Sequence, residues 1–196
     1  MDISLPNSDA LARLRPILET ALDAVVIIDG EGIVVAWNAV AERIFGWTAE
    51  EAVHRSMADL IVPPQHRDAH TNGLSRFQAS GEARVLNQRL EITALRKDGS
   101  EFPVELSITK AALSGATLFV GFLRDISARL NSQRVLARQA RESELLFRLT
   151  RLAAETESID EVLRASLEAI CELTGWPVGH ALVVTEDKGE LVSTDI

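Results

Sequence analysis

Arg89-Leu-Glu-Ile-Thr-Ala-Leu-Arg-Lys-Asp-Gly-Ser-Glu-Phe-Pro-Val-Glu-Leu-Ser-Ile108 is followed, after a short connection, by Phe119-Val-Gly-Phe-Leu-Arg-Asp-Ile-Ser-Ala-Arg129. In the first part Leu90, Ile92 and Ala94 alternate with Glu91, Thr93 and Leu95, the period of a half-buried strand. Lys97-Asp98-Gly99-Ser100 carries turn chemistry, because Gly99 tolerates positive φ and Asp98 can accept from its own backbone. Three antiparallel strands are predicted, over about 83–96, 101–110 and 117–125. The last runs into a segment from Ile126 to about Glu155 with no Pro or Gly, rich in Ala, Arg, Leu and Glu. One continuous helix follows from that composition. A sheet whose last strand feeds an exposed helix has the layout of a sensor.

Upstream of these strands the chain alternates short elements. Leu11, Leu14, Ile17, Leu18 and Leu22 share helical spacing over 8–22, an amphipathic flanking helix. Ala24–Asp29 is a β-branched run, turned by Gly30-Glu31-Gly32 and returned by Ile33–Trp37 as a hairpin. Asn38 is placed to cap a helix ending at Gly46. Thr48 and Glu51 have the spacing of a capping box. Pro63-Pro64 opens a helix over about 64–78, ended by Ser80-Gly81. The pattern is α+β, an antiparallel sheet with helices on one side.

Beyond the long helix, Ser158 and Glu161 predict a second helix over Ile159–Thr174, stopped by Gly175-Trp176-Pro177. Ala181–Val184 and Leu191-Val192 are strand-like. The chain stops in what reads as mid-strand, and the expectation is a fragment of a larger protein.

Composition narrows the function. The formal net charge is −9 over 196 residues, which argues against nucleic-acid binding, since phosphates select basic clusters. The single cysteine, Cys171, allows no intrachain disulfide and fits a reducing, cytoplasmic setting. No apolar run reaches the roughly 20 residues of a membrane span. No phosphoacceptor box, ATP loop or cyclic-dinucleotide signature is present, so no enzymatic activity is expected of this chain.

Several motifs carry a family resemblance. They are Asp29-Gly30-Glu31-Gly32, Trp37-Asn38, Ile44-Phe45-Gly46-Trp47, Arg96-Lys97-Asp98-Gly99-Ser100, Phe102-Pro103-Val104-Glu105 and Arg124-Asp125-Ile126-Ser127. Residues 20–127 resemble the PAS sensor family through them. The resemblance implies a five-stranded antiparallel sheet, a helical flank enclosing a ligand pocket, and a signalling helix. Thr174–His180 resembles the opening of a GAF domain. The organisation implied is a flanking helix over 1–22, a PAS domain over 23–126, a signalling coiled coil over 127–156 and a truncated GAF-like segment over 157–196. Such modules precede histidine kinases or cyclic-dinucleotide enzymes in two-component and related signalling.

Within the family, His66–Leu74 is similar to the helix of the haem-binding, oxygen-sensing branch, whose proximal histidine stands in an Arg-x-x-His setting. Arg67 and His70 fit that setting here. The resemblance implies haem b on His70, with Arg76 facing a propionate and Val85, Leu106 and Ile108 in the aliphatic distal wall. The branch's distal arginine falls on Leu90, a departure that puts oxygen stabilisation in doubt. Gln88, two residues earlier, is expected by alternation to face the pocket. Carbon monoxide, nitric oxide and redox state stay open as signals. A photoactive flavin is argued against, because the domain has no cysteine. Two function classes remain: a dimeric ligand sensor relaying through 126–155, and a cofactor-free scaffold that only dimerises.

Overall fold

The computed structural model describes residues 16–80, 85–113, 115–155, 158–184 and 191–193. Two compact units divide at Arg129 and Leu130. The first holds a five-stranded antiparallel sheet in the order β2-β1-β5-β4-β3, where β1 is Ala24–Asp29, β2 Val34–Trp37, β3 Arg89–Leu95, β4 Glu101–Leu113 and β5 Ala116–Asp125. Between β2 and β3 lie α1 (Ala39–Phe45), α2 (Ala49–Ala52), α3 (Met57–Ile61), a 3₁₀ turn (Pro64–His66) and α4 (Arg67–Ser80).

The apolar run of β1 is buried on both faces, which is why it does not alternate. Val26 and Ile28 point into the main core with Trp37, Phe45, Leu60, Phe77, Phe102, Val104 and Phe119. Val25 and Ile27 point the other way, onto Leu118, and are covered by Leu18 and Ala21 of the N-terminal flank. Residues 16–19 are helical, and the part of the expected 8–22 helix before 16 lies outside the described residues.

Asn38 ties this flank to the sheet. Its buried carboxamide oxygen accepts from Val25 N and from Ala41 N, each at 2.9 Å. Its Nδ2 donates to Leu18 O at 3.0 Å and Asp23 O at 3.1 Å. One side chain thus caps α1, completes β1 and holds the flank. Gly46 ends α1 in the left-handed region at φ 81°. The Thr48–Glu51 capping box is present, though α2 stops after one turn at Ala52. α3 was not anticipated from the sequence; Ser56 at its start makes no side-chain cap, so no local signal marks it.

β3 is shorter than the expected 83–96. Asn87 takes φ 57°, and its N–H bonds Ile108 O at 2.8 Å. That left-handed residue breaks the extended run, so regular alternation begins only at Arg89. Of the rest, 81–84 lie outside the described residues. β4 and β5 extend further toward their shared turn than 101–110 and 117–125. The 64–78 helix divides into the 3₁₀ turn and α4, which runs on to Ser80.

The second unit holds the length of α5 (Ser127–Glu155) from Leu130 onward, α6 (Ile159–Thr174), β6 (Leu182–Val184) and β7 (Leu191–Ser193), the last two paired antiparallel. Ser158 Oγ accepts from Glu161 N and Gly175 closes α6 at φ 73°, as the sequence indicates. The connection between β6 and β7, residues 185–190, lies outside the described residues. No residue of α5 is buried, and Val135, Leu136, Leu146 and Phe147 are exposed. Among the described residues no helix is long and apolar enough to cross a membrane.

Candidate functional site

The inner face of the sheet does not pack fully against the helices. Between them lies a cavity of about 450 Å³, a volume suited to a small molecule or cofactor. The sheet supplies Val26, Ile28, Ala94, Leu106, Ile108, Phe119, Gly121 and Leu123. The helical side supplies Met57, Ile61, Val62, His66 and His70. Antiparallel register explains the sheet side: Ile108 lies opposite Gly121 and Leu106 opposite Leu123. Residues facing each other across a ladder share a face. Gly121 makes room at the floor. A Cβ there would make ordinary van der Waals contact, 3.5 Å from Val26 O, 3.6 Å from Leu123 Cδ1 and 3.8 Å from Leu106 Cδ1.

His70 projects from the first turns of α4. It is half-buried, and desolvation pushes its pKa below the ordinary histidine value. Burial therefore favours the neutral imidazole, the form that binds metals. No hydrogen bond to its ring occurs among the described residues.

The expected site residues divide. His70, Leu106 and Ile108 line the cavity together. Leu90 lies opposite Leu106 and so faces the same side, but does not reach the cavity lining. Arg76 is exposed on α4 and is not a lining residue. Val85 is 41% exposed and Gln88 is exposed, both apart from the lining. Their placement follows from the Asn87 turn, which removes 85–88 from the strand. Arg89 faces outward and pairs with Glu105 at 3.5 Å. His66 was missed as a cavity residue; its spacing of four from His70 was the available signal.

A second feature sits where β5 hands over to α5. Arg96, at the end of β3, donates to Ile44 O at the end of α1 and pairs with Asp125 at 2.6 Å. Its guanidinium stacks over the Phe102 ring, 3.5 Å from the centroid. The other carboxylate oxygen of Asp125 accepts from Ser127 N at 2.8 Å, capping α5. Asp125 therefore caps the helix and pairs with an arginine at once. Desolvation opposes ionisation of Asp125, but the hydrogen bonds from Ser127 and the contact with Arg96 outweigh it and hold its pKa below the ordinary carboxylate value. Beside this, Arg129 pairs with Glu91 at 2.6 Å, and Arg124 grips Asp23 through two bonds at 2.8 and 3.0 Å. The start of α5 is thereby fastened to β3, at one edge of the sheet.

The first unit is thus an α+β domain: a five-stranded antiparallel sheet with short helices beside a mostly apolar cavity, its last strand running into a helix. The family model described as the PAS fold matches residues 12–126, and the chain belongs to that family. It is 42% identical over 129 residues to an uncharacterised protein of Azorhizobium caulinodans, covering 66% of this chain and 18% of that one. It is 33% identical over 159 residues to the sensor protein FixL of Bradyrhizobium diazoefficiens, covering 80% and 31%. It is 27% identical over 115 residues to the oxygen sensor protein DosP of Escherichia coli, covering 59% and 14%. The chain thus spans less than a third of the length of these relatives. It carries a PAS sensor domain of the kind found in sensor proteins.

Proposed function

We propose that this chain is the input and relay section of a longer signalling protein, and that its cavity takes haem on His70. One observation carries the reading: a half-buried, neutral imidazole with no hydrogen-bond partner among the described residues opens onto a mostly apolar cavity. A single histidine with an apolar bed behind it meets the needs of an axial haem ligand. Leu106, Ile108, Phe119 and Leu123 supply the bed and exclude water, and Gly121 leaves room against the sheet. Haem, when bound, supplies an iron centre responsive to a diatomic gas or to redox state. The likeness to a protein named an oxygen sensor supports this ligand class. Arg76 does not line the cavity.

The relay residues are this chain's own. Ile92 and Ala94 of β3 line the cavity, and two residues further Arg96 holds Asp125, which caps α5. A ligand that favours one position of β3 biases the start of α5, provided its affinity differs between the two positions. The exposed apolar residues of α5 pair with those of a second chain, and this dimer delivers the change to an output domain such as a histidine kinase. Residues 157–196 open a GAF domain, and the input section itself performs no catalysis.

The test is a visible absorption spectrum of the full chain after haem is added and excess removed. A sharp Soret band in the wild type, lost in His70→Ala with circular dichroism unchanged, is the expected result. No band in the wild type overturns the haem reading and leaves the cofactor-free scaffold. A band that survives in His70→Ala removes His70 as the ligand.

A further inference from the structure

His70 is not the only imidazole on the cavity. His66 closes the 3₁₀ turn and His70 lies one helical turn further, and both line the cavity from the same side. Spacing of four along a helix brings two imidazoles onto one face, the arrangement by which a helix chelates a transition ion. No hydrogen bond or ion pair engages either ring among the described residues. Arg67, between them, does not crowd the pair. Its guanidinium is turned back onto the end of α3, where Nε donates to Val62 O at 3.2 Å and Nη2 to Asp59 O at 3.2 Å.

We infer that in the haem-free chain His66 and His70 together bind one copper ion at the mouth of the cavity. Imidazole nitrogens suit copper, nickel and zinc, and Cu²⁺ is bound most tightly of the first-row divalent ions at a given nitrogen site. Met57 also lines the cavity. The remaining coordination positions face the cavity and water. Because His70 is shared, haem and the ion exclude one another, and the copper site belongs to the haem-free chain.

The experiment is titration of the haem-free full chain with Cu²⁺ alone, by calorimetry and by electron paramagnetic resonance. The expected result is one tightly bound ion per chain with hyperfine structure from two imidazole nitrogens. His66→Ala and His70→Ala are each expected to weaken binding at least tenfold. His66 is exposed, so His66→Ala keeps the test independent of folding. His54→Asn, which suits the left-handed backbone at φ 70°, and His180→Ala are expected to bind as the wild type does. The inference is overturned if the wild type binds no ion tightly, if His66→Ala stays within twofold of it, or if the loss follows His54 or His180 instead.

Discussion

Asn38→Ala removes four hydrogen bonds through one side chain, and their separate consequences can be worked through. Val25 N and Ala41 N lose the acceptor that serves both at 2.9 Å. Ala41 N belongs to the first turn of α1, so part of the cost is loss of a helix cap, about 1 kcal/mol. Val25 N lies in a buried strand with no water to replace the carboxamide, and an orphaned buried donor costs about 1–3 kcal/mol. Leu18 O and Asp23 O lose donors nearer the surface, where water substitutes at small cost. The sum is about 3 kcal/mol, a large share of a domain's stability. With a urea slope of about 2 kcal/mol/M, the unfolding midpoint falls by roughly 1.5 M. Trp37 and Trp47 flank the site, so fluorescence reports it; Trp176→Phe removes the exposed indole of the second unit. Asn38→Asp keeps both acceptors but sets a carboxylate against two carbonyl oxygens. It should also destabilise at neutral pH and recover partly on acidification. A loss below about 1 kcal/mol in Asn38→Ala, or a wild-type midpoint in Asn38→Asp at pH 8, refutes this account.

Three further outcomes are expected. Gly121→Leu places a side chain in the cavity floor at a backbone conformation open to any residue; it should abolish haem uptake while the melting temperature moves by only a few degrees. Asp125→Asn keeps an acceptor for Ser127 N but breaks the charge pair with Arg96, costing about 1 kcal/mol in this partly exposed setting. Because the folded pKa of Asp125 lies below its unfolded value near 3.9, its stabilisation is complete above that value and disappears as pH falls through the folded pKa; Asp125→Asn should therefore flatten the acid limb of the stability profile, measured by urea midpoints from pH 6 to 2. Leu136→Glu with Phe147→Glu should shift the chain from dimer to monomer in analytical ultracentrifugation, and an unchanged sedimentation coefficient would remove α5 as the dimer seam.

Local signals made most of the sheet and helix boundaries readable. Gly46, Thr48 with Glu51, Ser158 and Gly175 each end or start a helix where the sequence indicates, because caps act within a turn of the chain. What failed depended on contacts distant in sequence. The reach of Asn38 to Leu18 and Asp23 is tertiary, and only its capping role was visible. Val85-Leu86 reads as strand by composition, but Asn87 is tied by its N–H to Ile108 and turns the chain there. Asn was itself the available warning, since it accepts the left-handed region more readily than most residues. That one turn accounts for Val85 and Gln88 standing apart from a cavity that His70, Leu106 and Ile108 share. His66 was legible by its spacing of four from His70.

Arg96 and Asp125 also constrain how this section can be cut and joined. The arginine sits at the close of β3 and the carboxylate at the close of β5, so their meeting depends on the β3–β4–β5 register. An insertion of one residue between Thr93 and Arg96 would send Arg96 to the opposite face. A chimera that borrows this input for a foreign output must therefore carry the chain through Ser127 unbroken. A graft joined at Leu123 would inherit the cavity and lose its connection to the helix. Joined beyond Arg129, it also keeps the Glu91 pairing, and the transplanted unit brings its own coupling with it.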